Sequence, residues 1–267
     1  MGIRPGRKLF RAPGATVKPA SAPRLKSYTP VKTWSTPRPS RSAAPPPEPS
    51  FEEKLVAARD SLFERSRVLL AFGRAHSEWR KGAYFSGVVI RGAIADGKAG
   101  CLKGPSFADE MDKYHDIQDL TGLEMDIYEA IRDGAAAAFD RWRENVTVPL
   151  LPWYPMFTAF PGSEAPPTPS VPTPLSALLS AHADALLAPH IRVQIDVRLR
   201  PELRHPILES LLLHLTTSMS AQLGMWLATQ TVSGVMGRGP VPTYAPPYVP
   251  VGPVLGGSVV AKPGMKI

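Results

Sequence analysis

Cysteine is nearly absent: Cys101 stands alone in 267 residues. An internal disulfide framework and any zinc site built on several thiolates are therefore excluded, and Cys101 reads as a small buried hydrophobe. A secretory signal is also missing, because the cationic start runs into prolines instead of an apolar stretch, and the same prolines deny the amphipathic helix of an organellar transit peptide. Gly97-Lys98 is followed by Ala99 where a phosphate loop has Ser or Thr, so it is not read as one. With no catalytic signature anywhere, the sequence points to a non-enzymatic protein with no cofactor.

Acid is what the first fifty residues lack. They carry ten cations (Arg4, Arg7, Lys8, Arg11, Lys18, Arg24, Lys26, Lys32, Arg38 and Arg41) against Glu48 alone, a charge of +9. The whole chain has 31 basic and 23 acidic side chains, so the other 217 residues hold 21 against 22 and come to −1. Eleven prolines in this arm remove amide donors and push their predecessors toward extended geometry. High charge with few large apolar groups cannot offset ordering entropy, so residues 1–50 are expected to be an extended arm, disordered in isolation and ordered by a partner. A neutral body has no acidic excess to serve as that partner, which leaves nucleic acid or another subunit, the alternative being a solvated linker with no partner.

The body is expected to be mainly α with a minor β component. Ser50-Phe51-Glu52-Glu53 reads as a capping box, and Leu55, Leu62 and Leu69, flanked by Val56, Phe63 and Leu70, predict one helix as far as Lys81-Gly82. The glycine-rich 83–104, with Val88, Val89, Ile90 and Ile94, predicts a short strand or hairpin. Ser106 and Asp109 mark a further helix start. Thr121-Gly122-Leu123-Glu124 marks another capping box, opening a helix over 122–145 with Leu123, Ile127, Ile131, Ala138 and Trp142 inward. These elements make a helical subdomain, 51–148.

Residues 149–174 hold nine prolines and the rings Trp153, Tyr154, Phe157 and Phe160. Neither helix nor central strand suits that composition, and exposed rings favour association, so this stretch is expected to be an extended belt whose rings lie in grooves of its own body or, as a subunit-contact belt, of a neighbour. A mixed subdomain, 175–237, follows. Leu175 to Leu187 predicts a buried helix ended by Pro189. The alternation of Ile191, Val193, Ile195, Val197 and Leu199 with polar residues predicts a half-buried strand. From Ser210 to Gly237 no residue is charged, a membrane-spanning length, but ten polar side chains and the stripe Leu208, Leu211, Leu212, Leu215, Met219, Leu223 and Trp226 favour an internal helix. His205 and His214 read as structural. Residues 238–267, rich in proline and glycine, predict an extended C-terminal tail.

Asp112, His115, Asp116 and Asp119 recur at i, i+3, i+4 and i+7. On a helix they would share one face and form the best available candidate for a metal. The alternative is an acidic solvated face that meets a neighbour's basic arm, and the matching carboxylates that a bundle metal site needs are not found elsewhere.

The runs Leu151-Pro-Trp-Tyr-Pro-Met-Phe-Thr-Ala-Phe160 and Pro242-Thr-Tyr-Ala-Pro-Pro-Tyr-Val-Pro-Val-Gly-Pro253 resemble those of bacteriophage virion structural proteins. That resemblance implies a minor or internal, capsid-associated component. Its expected partners are copies of itself, other assembly proteins and genome DNA or RNA, and its expected location is the virion. The alternatives are an RNA-binding subunit of a ribonucleoprotein, such as an organellar ribosomal protein in the organelle matrix, and a membrane-associated assembly subunit acting through 207–236.

Overall fold

Ser50 opens the folded body in the computed structural model, which describes residues 47–64, 66–91, 94–152, 168–239, 255–259 and 267. The Ser50 amide donates to Glu53 Oε2 at 2.7 Å and the Glu53 amide donates to Ser50 Oγ at 3.2 Å, the reciprocal box read from the sequence. Helix α1, Phe51–Glu64, buries Leu55, Ala58 and Leu62. The single long helix expected here is two helices. Ser66 takes left-handed backbone (φ 46°), and α2 begins afresh at Arg67–Gly82. That break resets the heptad phase, so Val68 and Phe72 turn inward while Leu70 is left 50% exposed.

The glycine-rich segment forms β1 (Tyr84–Phe85), β2 (Val89–Arg91), β3 (Ile94–Gly97) and β4 (Leu102–Lys103), with β1 against β4 and β2 against β3. Ser106 Oγ accepts the Asp109 amide at 3.3 Å and caps α3, Phe107–Asp112. Helix α4, Leu123–Glu144, lies where it was expected, but without the Thr121 side-chain cap. Gly122, at φ 56°, takes the cap position, and Thr121 offers its carbonyl to the Glu124 amide instead.

Strand β5, Val146–Pro152, corrects the expectation that residues from 149 onward stay out of a central strand. It pairs with β3 on one side and with β8 (Leu179–Ser180) on the other. Two neighbours are compatible with its prolines because Ala95 faces Leu151 and Gly97 faces Val148, so Pro149 and Leu150 together oppose Asp96. This bulge takes Pro149 out of the ladder, and the Leu150 amide donates to Asp96 Oδ1 at 3.3 Å instead. The remaining strands are β6 (Thr168–Pro169), β7 (Thr173–Pro174), β9 (Thr231–Val232), β10 (Met236–Arg238) and β11 (Leu255–Val259). An antiparallel sheet in the order β6-β10-β11-β2-β3-β5-β8 results, with β7–β9 as a separate pair. Since β11 lies between β10 and β2, the expected C-terminal tail is in part an inner strand.

Two further expectations are overturned. Residues 175–187 form 3-10 turns at Leu175–Ala177 and Ala183–Leu186 around β8, not a helix. Pro189 does not end a helix there. It sits in the first turn of α5, Ala188–Arg198, where its missing amide is harmless. The strand predicted at 191–199 is this helix. Ile191 and Ile195 are buried one turn apart and Leu199 follows, whereas Val193 and Val197 are 55% and 68% exposed. Arg192 Nε reaches Asp196 at 2.8 Å across i and i+4, a pairing that a helix provides and a strand does not.

Helix α6, Glu209–Thr229, buries the expected stripe from Leu208 to Trp226 in full. Among the described residues no helix is long and apolar enough to cross a membrane. About 60% of these residues are helical and 18% are strand, a mainly α fold with a minor β component. The two expected subdomains, 51–148 and 175–237, belong to one packed unit, Glu48–Ile267. What joins them is the contact of α4 with α5. A methyl group added at Gly134 would stand 2.6 Å from Ile195 Cγ1 and 2.7 Å from the Ile195 backbone, so only glycine permits this approach. Gly134→Ala is therefore expected to lower unfolding stability by about 2 kcal/mol although alanine is the better helix former. Urea denaturation checks this; an unchanged or raised midpoint would show that the two helices separate without cost.

Candidate interaction surfaces

The four residues read as a candidate metal set do not share a helical face. Helix α3 stops at Asp112, a 3-10 turn holds His115 and Asp116, and Asp119 lies beyond it. Asp112 accepts from Arg132 Nη1 at 2.9 and 3.1 Å and from the Tyr128 hydroxyl at 3.1 Å. His115 Nε2 lies 2.7 Å from Asp116 Oδ1, and Tyr114 donates to Asp116 Oδ2 at 3.1 Å. The quartet is thus split between two local networks. Among the described residues no three His, Cys, Asp or Glu side chains are grouped to hold a metal ion.

A different property emerges along the same stretch. From Asp109 to Asp133 there are nine acids (Asp109, Glu110, Asp112, Asp116, Asp119, Glu124, Asp126, Glu129 and Asp133) against Lys113 and Arg132, a net charge of −7. Lys113 engages Glu110, Arg132 engages Asp112 and Asp133, and Arg200 engages Asp126. Asp109, Asp119, Glu124 and Glu129 have no ion-pair partner among the described residues. The near-neutral total of the body therefore conceals an acidic zone at α3 and the first half of α4. Elsewhere some cations are matched, as in Arg143 with Asp140 and Glu144, and Arg192 with Asp196 and Glu209, while others, among them Lys54, Arg91, Lys98 and Lys103, are in no ion pair among the described residues.

The ten cations of the arm lie outside the described residues, as do Trp153, Tyr154, Phe157 and Phe160. The points where the proline-rich segments meet the body are described. One leaves at Pro152, opposite Ile94, and rejoins at Thr168, opposite Gly237. The other leaves after Arg238 and rejoins at Leu255, opposite Arg91. Antiparallel pairing gathers all of these points at one end of the large sheet. Beside them the sheet's outer face presents Val89, Ile94 and Met236, each more than a third exposed.

Sequence reasoning missed a groove between α4 and α5. A cavity of about 210 Å³ is lined by Ala138, Arg141, Ala185, His190, Val193 and Gln194. Arg141 Nη2 is 3.5 Å from His182 Nδ1, and His190 Nδ1 is 3.1 Å from Asp184 Oδ2. No signal for it could be read while Val193 was assigned to a strand. Of the histidines read as structural, His205 Nδ1 accepts the Ile207 amide at 3.3 Å, and the His214 ring stands 5.1 Å from that of Phe63. Cys101 is buried, and burial pushes its thiol up to about 11, so it is an inert packing group.

His76 is a buried titratable group at the aromatic centre of the core. Its ring meets Trp226 edge-on at 4.7 Å and lies 6.4 Å from Phe139, which in turn meets Trp79 at 4.7 Å and Phe107 at 4.6 Å. Desolvation, aided by nearby Arg80, lowers its pKa to about 4. Its Nε2 has no hydrogen-bond partner among the described residues. No protein-family model, curated protein or solved structure matches the chain.

The depressed value makes His76 a pH-dependent element of stability. The unfolded chain binds this proton near pH 6.5 and the folded chain near 4. The neutral ring's contribution is thus complete above pH 6.5 and is lost progressively as pH falls to 4, about 3 kcal/mol in all. The stability difference between wild type and His76→Leu, measured by denaturation from pH 7.5 to 4, should change by that amount in that window. A flat difference would show that His76 does not titrate in the core.

Proposed function

We propose that the chain is a non-enzymatic structural component of a large assembly, a minor or internal virion protein whose basic arm contacts neighbouring subunits or packaged genome. The observation that carries this reading is the segregation of charge: +9 on residues 1–50 and −7 on residues 109–133 of the packed body. Such an arm has two classes of polyanionic partner. One is a nucleic acid, where each cation that reaches a phosphate releases a counterion. The other is the acidic zone of a neighbouring copy, engaged through many exposed pairs that are individually weak and additive in number. The resemblance of the proline-aromatic runs to virion proteins supports the same reading.

Binding of single- and double-stranded nucleic acid across a salt series, for the full chain and for a chain beginning at Ser50, tests it. If most of the ten cations contact phosphates, log K should fall against log salt with a slope of roughly −6 to −9, and removing the arm should flatten the line. If the slope is shallow in both, the acidic zone is the partner. Charge reversal at Asp109, Asp119 and Glu124 should then abolish salt-sensitive self-association of the full chain. Failure of both measurements overturns the arm's role.

A further inference from the structure

Helix α6 has a second face that the body's own packing does not explain. Its inward stripe is apolar, as a core helix requires. Its outward side carries no charge either, although Leu213, His214, Thr217, Ala221, Gly224, Met225, Ala228 and Thr229 are all exposed. Leu213 is 61% and Met225 67% exposed. A solvated face ordinarily carries charged residues opposite the buried stripe; here five turns carry none. Gly224 sharpens the point. A side chain there would meet nothing within 4 Å, so a glycine that costs about 1 kcal/mol relative to alanine in a helix interior does nothing for the fold of its own chain.

The face is wider than one helix. Helix α2 lies beside α6 and runs parallel to it, since a methyl group at Gly73 would stand 3.5 Å from Gln222 Nε2, the His76 ring is 4.7 Å from Trp226, and Arg80 Nη2 is 3.2 Å from Gln230 Oε1 at the end; Phe63, in the last turn of α1, stands 5.1 Å from His214. Phe63, 50% exposed, extends the apolar area of α6 at its start, and Leu70 of α2 is also 50% exposed. Exposed Glu64 beside Phe63 and Arg74 one turn beyond Leu70 border this area, and Arg74 acts on Tyr114 of the α3 segment. From Ser210 to Ala228 the strip is about 27 Å long and two helices, about 20 Å, wide. That is roughly 540 Å² in plan, the scale of a small, weak contact below the roughly 800 Å² that each partner contributes to a standard one.

We propose that this face, centred on Leu213, Gly224 and Met225, is a two-fold contact between two copies of the chain. The inference rests on the assembly reading above and names the surface through which copies join. An uncharged face has nothing to offer a polyanion, a basic arm or an acidic peptide. Placed against itself it buries large apolar groups with no like charges opposed and no charge left unpaired, and the isologous arrangement closes at the dimer. The small residues Thr217, Ala221, Gly224 and Ala228 let the two α6 backbones approach.

Sedimentation of the full chain over a concentration series in 0.5 M salt, which screens the arm, tests the contact. The wild type is expected to dimerise. The double substitution Leu213→Glu with Met225→Glu should weaken dimerisation at least 100-fold. Gly224→Leu should weaken it at least tenfold while leaving the monomer's thermal midpoint unchanged or raised, because nothing in the monomer opposes the new side chain. Val197→Glu, on the exposed side of α5, should leave dimerisation unaltered. A wild type that stays monomeric to 100 µM, or a dimer indifferent to both α6 changes, overturns the proposal. So does co-flotation of the wild type with neutral phosphatidylcholine vesicles that Leu213→Glu with Met225→Glu abolishes, since that outcome would make the face a lipid surface. Any of these leaves the arm's reading to its own salt titration.

Discussion

The separation of α4 and α5 is the constraint on which the rest of the body depends. Gly134 and the four alanines that follow it give α4 a flank with almost no side-chain relief, and α5 lies so close that Ile195 fills the place of a missing methyl group. Packing at this distance fixes α5 and, through it, α6, because Arg192 on α5 reaches both Asp196 and Glu209 at the start of α6. Once α6 is set, Trp226 meets His76 and Trp142, and Phe139 of α4 sits among Trp79, Phe107 and Trp142. Elements far apart in sequence thus share one aromatic centre.

What could be read in advance divides along physical lines. Caps that depend on a few adjacent residues were legible at Ser50 and Ser106, and so was any helix with one strong apolar stripe, as in α4 and α6. The failure at α5 is instructive. A strictly alternating series contains within it residues four apart, so Ile191, Ile195 and Leu199 satisfy a helix as well as a strand, and only tertiary context decides which half of the series is buried. The break at Ser66 was hidden for a related reason: leucines seven apart remained in register on paper while the backbone changed direction between them. At Pro149 the composition argued correctly that a regular ladder is impossible. It did not anticipate that a bulge would satisfy the argument and keep the strand.

The surfaces were less legible than the core. Total charge gave a neutral body, yet neutrality arises from an acidic stretch offset by cations elsewhere, and only residue-by-residue placement separates the two. Conversely, the spacing of the acidic quartet implies one helical face, whether for a metal or for solvent. The chain leaves the helix at Asp112, and the intended face does not exist. The uncharged run from Ser210 was noticed for its length. Its meaning lies in the half that is not buried.

The two contacts proposed for this chain respond to solution conditions in opposite senses. Arm contacts are electrostatic, fall steeply with ionic strength, and act over a distance set by the screening length, about 10 Å at 0.1 M salt. The α6 face is apolar, gains from solutes that strengthen burial, and acts only in contact. On that reading a copy can pair through α6 independently of its arm. Two arms then act from one paired body, so the second engages a surface already held nearby, at an effective concentration set by the tether and not by the bulk. Pairing through an uncharged face thus raises the avidity of a charged arm without adding a cation to it, and a chain that segregates its charge to one end can keep its joining surface free of like-charge repulsion.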